Sequence, residues 1–154
     1  MNPKDFLKKT RAQAKKMRDI KKASVDVGIL ASKSTGKIYS NGVNVLQVAA
    51  IHEFGLGTSP KRSFLKMPQQ VKEKEISQFI KRQLKSTLDG KSSIKKGLGL
   101  IGVFVTNVSV DAFDSNGFGQ WQELEQSTID AKGSSQTLTD TGTLKNSITH
   151  RVNT

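Results

Sequence analysis

The fifteen residues from Ile51 to Leu65 constrain the fold more than any other stretch. They set two glycines and a proline between two helical patterns and load the junction with apolar side chains. Upstream, Val45, Val48, Ala49 and Phe54 recur at helical spacing, which predicts a short helix whose apolar face Phe54 closes. Gly55 and Gly57 end it, since glycine enters left-handed backbone without a Cβ clash. Pro60 biases Ser59 toward extended backbone, so the next helix waits until after Arg62. The expectation is a corner in which Phe54, Phe64 and Leu65 hold the fold. Glu53 and Arg62 are expected to pair bidentately across the loop and fix its direction.

Around this corner the pattern alternates between helix and strand. Residues 3–22 predict a helix with a narrow stripe of Phe6, Ala14, Met17 and Ile20, too thin to pack except at its edges. Val25, Val27 and Ile29 alternate as a half-buried strand over 25–30. A polar loop follows over 31–42, with its tip near Ser34-Thr35-Gly36 and with 37–40 pairing back as a short strand. Lys66 to Leu88 carries Val71, Ile76, Phe79, Ile80 and Leu84 and predicts one long amphipathic helix ended by Asp89-Gly90. Ser92 or Ser93 caps a further helix over about 92–112, through Leu98, Ile101, Val105, Val108 and Ala112. The β-branched residues at 101–110 leave a strand as the alternative there. Residues 114–143 lack a regular pattern, and 148–152 reads as a final strand. The fold class is therefore α+β: a small, mostly antiparallel sheet from 25–30, 37–40 and the C-terminal strand, packed by two long helices. Residues 1–22 form a basic helical arm on a single domain of 23–154.

Only 34% of the 154 residues are hydrophobic, which implies a thin core. A chain that buries its remaining apolar surface against copies of itself fits this composition, as does a partly disordered monomer. With no cysteine, disulfides and thiolate metal sites are excluded. No apolar run approaches the roughly 20 residues that span a bilayer, and the start lacks a secretory h-region. The expectation is no membrane and assembly in the cytoplasm.

The net charge of +12 is concentrated. Residues 1–22 hold nine Lys or Arg against two acids and residues 61–96 eleven against three, while 97–154 hold three against six. Clustered cations gain affinity for nucleic acid by phosphate neutralisation and counterion release. The same charges also serve as solvated helix faces complementary to neighbouring subunits. The second use is favoured, because no aromatics interleave the basic helices and no nucleic-acid-binding motif accompanies them. The candidate positions for DNA-facing or inter-subunit charge are Lys8, Arg11, Lys15, Arg18, Lys81 and Arg82.

Three further motifs bear on chemistry. Gly97-Leu98-Gly99-Leu100-Ile101-Gly102 matches the dinucleotide fingerprint in letters, but 92–96 is no buried strand, so the glycines instead let another helix approach. His52 and His150 lack ligand spacing, and no nucleophile motif accompanies His52. The expectation is no catalytic residue, no metal and no cofactor. Trp121 is the only tryptophan and, with Leu124, pins the irregular segment to the core, with a base-stacking platform or an interface anchor as the alternative. Thr139 to Leu144 reads as a turn around Asp140, Thr141 and Gly142, after which Leu144 and Ile148 return to the core.

The corner also resembles a known signature. Ala49, Glu53, Phe54, Gly55, Thr58, Pro60, Arg62, Phe64 and Leu65 resemble the Ala-x-x-x-Glu-Phe-Gly-Thr and Pro-x-Arg-x-Phe-Leu block of the tailed-phage virion-morphogenesis family, the small tail-completion and neck proteins. Leu56 and Gly57 stand as a small insertion. A second block, from Trp121-Gln122-Glu123-Leu124 through Ser127-Thr128-Ile129, Lys132-Gly133, Leu138, Asp140-Thr141-Gly142 and Leu144 to Asn146-Ser147-Ile148, resembles the C-terminal pattern of the same family. Together they cover roughly residues 25 to 152 in the expected order. The resemblance implies a structural, non-enzymatic virion protein that completes or terminates the tail and joins it to the head. It implies a homo-oligomeric ring, hexameric in the family, with other neck and tail-tube proteins as partners and transient contact with genomic DNA. The interface or loop-fixing candidates are Glu53, Phe54, Arg62, Phe64 and Trp121. A basic nucleic-acid-binding module is the alternative.

Overall fold

A computed structural model of the chain describes residues 2–30, 38–39, 42–138 and 142–154. In chain order its elements are α1 (Pro3–Lys22), β1 (Ser24–Gly28), α2 (Val45–Phe54), α3 (Lys66–Val71), α4 (Glu73–Leu88), α5 (Ile94–Asp114), α6 (Gln126–Lys132), a 3-10 turn (Lys145–Ser147) and β2 (Thr149–Asn153). The class is α+β, with helices packed on an antiparallel sheet.

α5 is the axis of this arrangement. Ser93 caps it, its hydroxyl accepting from the Lys96 N–H at 3.2 Å. Ile101, Val105, Val108 and Ala112 fall on one buried face, so the strand alternative at 101–110 is overturned. This face lies across β1 and β2, and α4 packs alongside. Phe79 of α4 stacks on Phe104 with ring centroids 4.4 Å apart. The letter-matched fingerprint sits inside this helix. A Cβ on Gly97 would come within 2.8 Å of Thr87 Oγ1, as expected for close helix approach, whereas one on Gly102 would lie 2.4 Å from the His150 ring of β2. Contrary to the expectation from sequence, α5 is by length and composition long and apolar enough to cross a bilayer. Here its buried face packs against sheet and helix.

The sheet has two strands among the described residues, and of the expected 37–40 strand only Ile38 and Tyr39 are described. Ile38 makes only an isolated bridge to Asn44, while Lys37 and Ser40 lie outside the described residues, as does the loop tip at 34–36. β1 pairs antiparallel with β2 in a register that sets Asp26 opposite Arg151. Arg151 Nη2 donates to Asp26 at 2.9 Å and Asn153 Nδ2 at 3.1 Å, which holds the Asp26 carboxyl below its usual range. These groups are at least partly exposed and secure register more than stability.

The predicted helix over 66–88 is two helices. Lys72 leaves helical geometry at φ −100°, ψ 18° and separates α3 from α4. Val71 is five residues before Ile76 and so out of phase with the stripe that Ile76 begins; the break leaves Val71 exposed and turns Ile76, Phe79 and Ile80 inward. The stretch 114–143, read as irregular, contains α6. The turn at Asp140 and Thr141 lies outside the described residues, but Leu144 and Ile148 do enter the core, with Val45, Phe64, Phe113 and Trp121.

α1 has the boundaries that its sequence predicts. Asn2 caps it by accepting from the Lys4 N–H at 3.0 Å, with Pro3 as the first helical residue. No residue of α1 is buried. Along its length only Lys16 and Ile20 are partly covered, and Ile20 lies in a crevice between α4 and α5 beside Leu84 and Leu98. The arm is fastened by its last turns.

Candidate assembly site at the corner

The corner begins with α2. Asn44 accepts from the Leu46 N–H at 2.8 Å, and its own N–H donates to Gln47 Oε1 at 3.2 Å, which closes the first turn. Gly55 ends the helix at φ 70°, and a Cβ there would also strike that of Lys61 at 2.8 Å. The buried face of α2 is Val45, Ala49 and Glu53. Phe54 stands nine residues after Val45, half a turn away from it, and is 67% exposed. The expectation that Phe54 closes the apolar face and holds the fold is therefore corrected. With Leu56, 49% exposed beyond Gly55, it forms an apolar tip in solvent.

Glu53 turns inward and does not pair with Arg62. Its Oε2 accepts from the N–H groups of Phe64 at 2.8 Å and Leu65 at 2.9 Å. Its Oε1 accepts from the Ser63 hydroxyl at 2.7 Å and the Lys66 N–H at 3.0 Å. Ser63 Oγ in turn accepts from the Met67 N–H at 3.0 Å. One buried carboxylate thus satisfies N–H groups at the start of α3 that have no partner within the helix, and its charge faces the positive end of that helix. The position that sequence reading assigned to a cross-loop ion pair is a cap supplied from another helix.

Arg62 is buried as well and finds its partners in the second block. Its Nε and Nη2 both donate to the Gln122 carbonyl at 3.1 Å, and Nη2 reaches the Glu123 carbonyl at 3.5 Å. Among the described residues no carboxylate pairs with it, and burial lowers its affinity for the proton. Trp121 Nε1 donates to the Ser63 carbonyl at 3.1 Å, and the Arg62 N–H donates to the His52 carbonyl at 2.8 Å. Phe113 lies between Phe64 and Trp121, with ring centroids 5.4 and 5.6 Å away. Phe64 is wholly buried, as expected, and Trp121 is a core residue that leaves no face for stacking on a base. Gly117, at φ 65°, lets the indole lie over its backbone, where a Cβ would meet the ring at 2.3 Å.

Ser63 was not singled out from sequence, although a serine at the start of a helix is a capping signal. His52 beside it has a proton affinity lowered by burial and secondarily by Arg62, and its Nδ1 is buried without a partner among the described residues. The pieces of the corner hold one another, and Ser63, Lys66, Met67 and Trp121 line an open cleft of about 290 Å³ beside them. No three His, Asp or Glu side chains gather to hold a metal ion among the described residues. The basic candidates Lys8, Arg11, Lys15 and Arg18 are exposed on one side of α1, and Lys81 and Arg82 are exposed on α4, where Arg82 lies over the Phe79 ring at 5.5 Å. No family model, curated protein or solved structure matches the chain.

Proposed function

We propose that the chain is a structural subunit of a tailed-phage virion, at the neck or the upper end of the tail, working as a homo-oligomeric ring that completes the tail and meets other neck and tail-tube proteins. One observation carries the reading. The two motif blocks that resemble the virion-morphogenesis family, some 60 residues apart, form one interlocked unit through Arg62, Ser63 and Trp121. That unit spends its polar residues on rigidity and lifts Phe54 and Leu56 into solvent, as suits a tip seated in a neighbouring subunit. On this reading the ring is assembled in the host cytoplasm and ends in the virion, and closure requires two different, complementary patches on each copy.

Mass photometry and negative-stain imaging of the purified chain test this. Discrete rings are expected, and Phe54→Glu, at an exposed site that the core does not need, should yield a folded chain that no longer forms them. A chain that stays monomeric at tens of micromolar would overturn the proposal. The nucleic-acid reading draws on the exposed basic side of α1. It gains only if the monomer binds duplex DNA with a steep salt dependence.

A further inference from the structure

α1 is 20 residues long and buries none of them, although it is amphipathic. Phe6, Leu7 and Met17 are each more than half exposed. With Thr10 and Ala14 they lie on one side of the helix, and Lys8, Arg11, Lys15 and Arg18 run along one edge of that stripe. α5 has a matching deficit. Opposite its buried face runs a straight row of Lys96, Leu100, Val103, Asn107 and Asp111, in which Leu100 is 42% and Val103 45% exposed. Gly99 beside them has nothing within 4 Å of where a Cβ would stand, so the row is open to close approach.

We infer that the arm of one copy lies along this outer row of α5 in a second copy. The row on α5 begins at Lys96 and ends, past its apolar side chains, at Asp111 and at Asp114, which already accepts from Lys145 at 2.6 Å. The arm has cations at both ends, Lys4, Lys8 and Lys9 as well as Arg18, Lys21 and Lys22, against Asp5 and Asp19. Docking of the stripe covers Leu100 and Val103 and brings the arm's cations to the two aspartates at the end of the row. At a larger scale, residues 1–22 carry nine cations against two acids, and residues 97–154 three against six. The two surfaces differ, so each copy gives an arm and receives one. That is a heterologous contact, which closes into a ring or runs on as a filament. The inference rests on the self-assembly part of the proposed function and adds which surfaces meet.

Complementation tests it. Phe6→Glu/Met17→Glu spoils the arm, and Val103→Glu spoils the outer row. All three sites are exposed, so circular dichroism should show both variants folded. Each variant alone should sediment as a monomer, at least tenfold weaker in association than the full natural chain. An equimolar mixture should give one-to-one dimers and nothing larger, because one intact arm then meets one intact row. Assembly unchanged in both variants would overturn arm docking and leave the ring reading standing, whereas a natural chain that never associates would overturn both. A mixture that fails to pair would also overturn it. So would an arm that binds anionic lipid vesicles and leaves the chain monomeric.

Discussion

The corner at 51–65 and the arm at 3–22 treat polar and apolar groups in opposite ways. In the corner, Glu53, Arg62 and Ser63 are buried and each makes at least two hydrogen bonds, while Phe54 and Leu56 stand outside. In the arm nothing is buried, and Phe6, Leu7 and Met17 are each more than half exposed. The difference teaches that low hydrophobic content need not weaken every part equally. One region substitutes a hydrogen-bonded polar network for apolar bulk, and the other leaves its apolar surface for a partner.

The largest break in that comparison comes at the centre of the corner. Phe64→Ala removes a wholly buried ring that touches Phe113, and a loss of about 3–5 kcal/mol is expected in urea unfolding. A stable monomer that merely fails to assemble would show Phe64 to be an interface anchor instead. Glu53→Ala leaves a hydroxyl and three N–H groups without their acceptor, and about 3 kcal/mol should go by the same measurement. Charge reversal at Glu53 and Arg62 together should not restore stability, because the two do not pair. Gly102→Ala forces a methyl against the His150 ring; despite the better helix propensity it should cost about 1–3 kcal/mol, and a rise in melting temperature would show that the strand yields.

Acid should act on the corner before the arm. The His52 proton affinity is lowered in the fold, so the unfolded chain binds the proton more readily. Stability from this group is therefore present in full above the unfolded value of 6.5 and declines as the pH falls from there through the folded value. His52→Gln should flatten that part of the stability profile. The smallest effect belongs to the arm: at dilution, Met17→Lys should change the unfolding midpoint by no more than about 0.5 kcal/mol in equivalent stability. A larger loss would place the arm inside the fold.

Much of the frame was legible because its signals are local. Asn2-Pro3, Gly55 and Ser93 mark helix ends through their own backbone geometry, and those ends stand where the residues put them. The periodicity of Ile101, Val105, Val108 and Ala112 likewise holds within one helix. What escaped depends on distance or phase. Glu53 serves amides 11 to 13 residues on, and Arg62 serves carbonyls 60 and 61 residues away, so neither role has a signature in neighbouring letters. Phe54 misled because its hydrophobicity outweighed its phase, and the break at Lys72 is visible only as Val71 falling out of step.

The central claim is that the corner is a closed, self-sufficient unit while the arm is finished only by another copy. Native-state hydrogen exchange at two protein concentrations tests it most directly. The amides of Phe64, Leu65 and Lys66 should exchange only through global unfolding of the subunit and be strongly protected already at nanomolar chain. The amides of the first three turns of α1 should exchange quickly at nanomolar chain and slow by at least tenfold at tens of micromolar. Arm amides as well protected at dilution as those of the corner, or corner amides that open locally, would contradict the account.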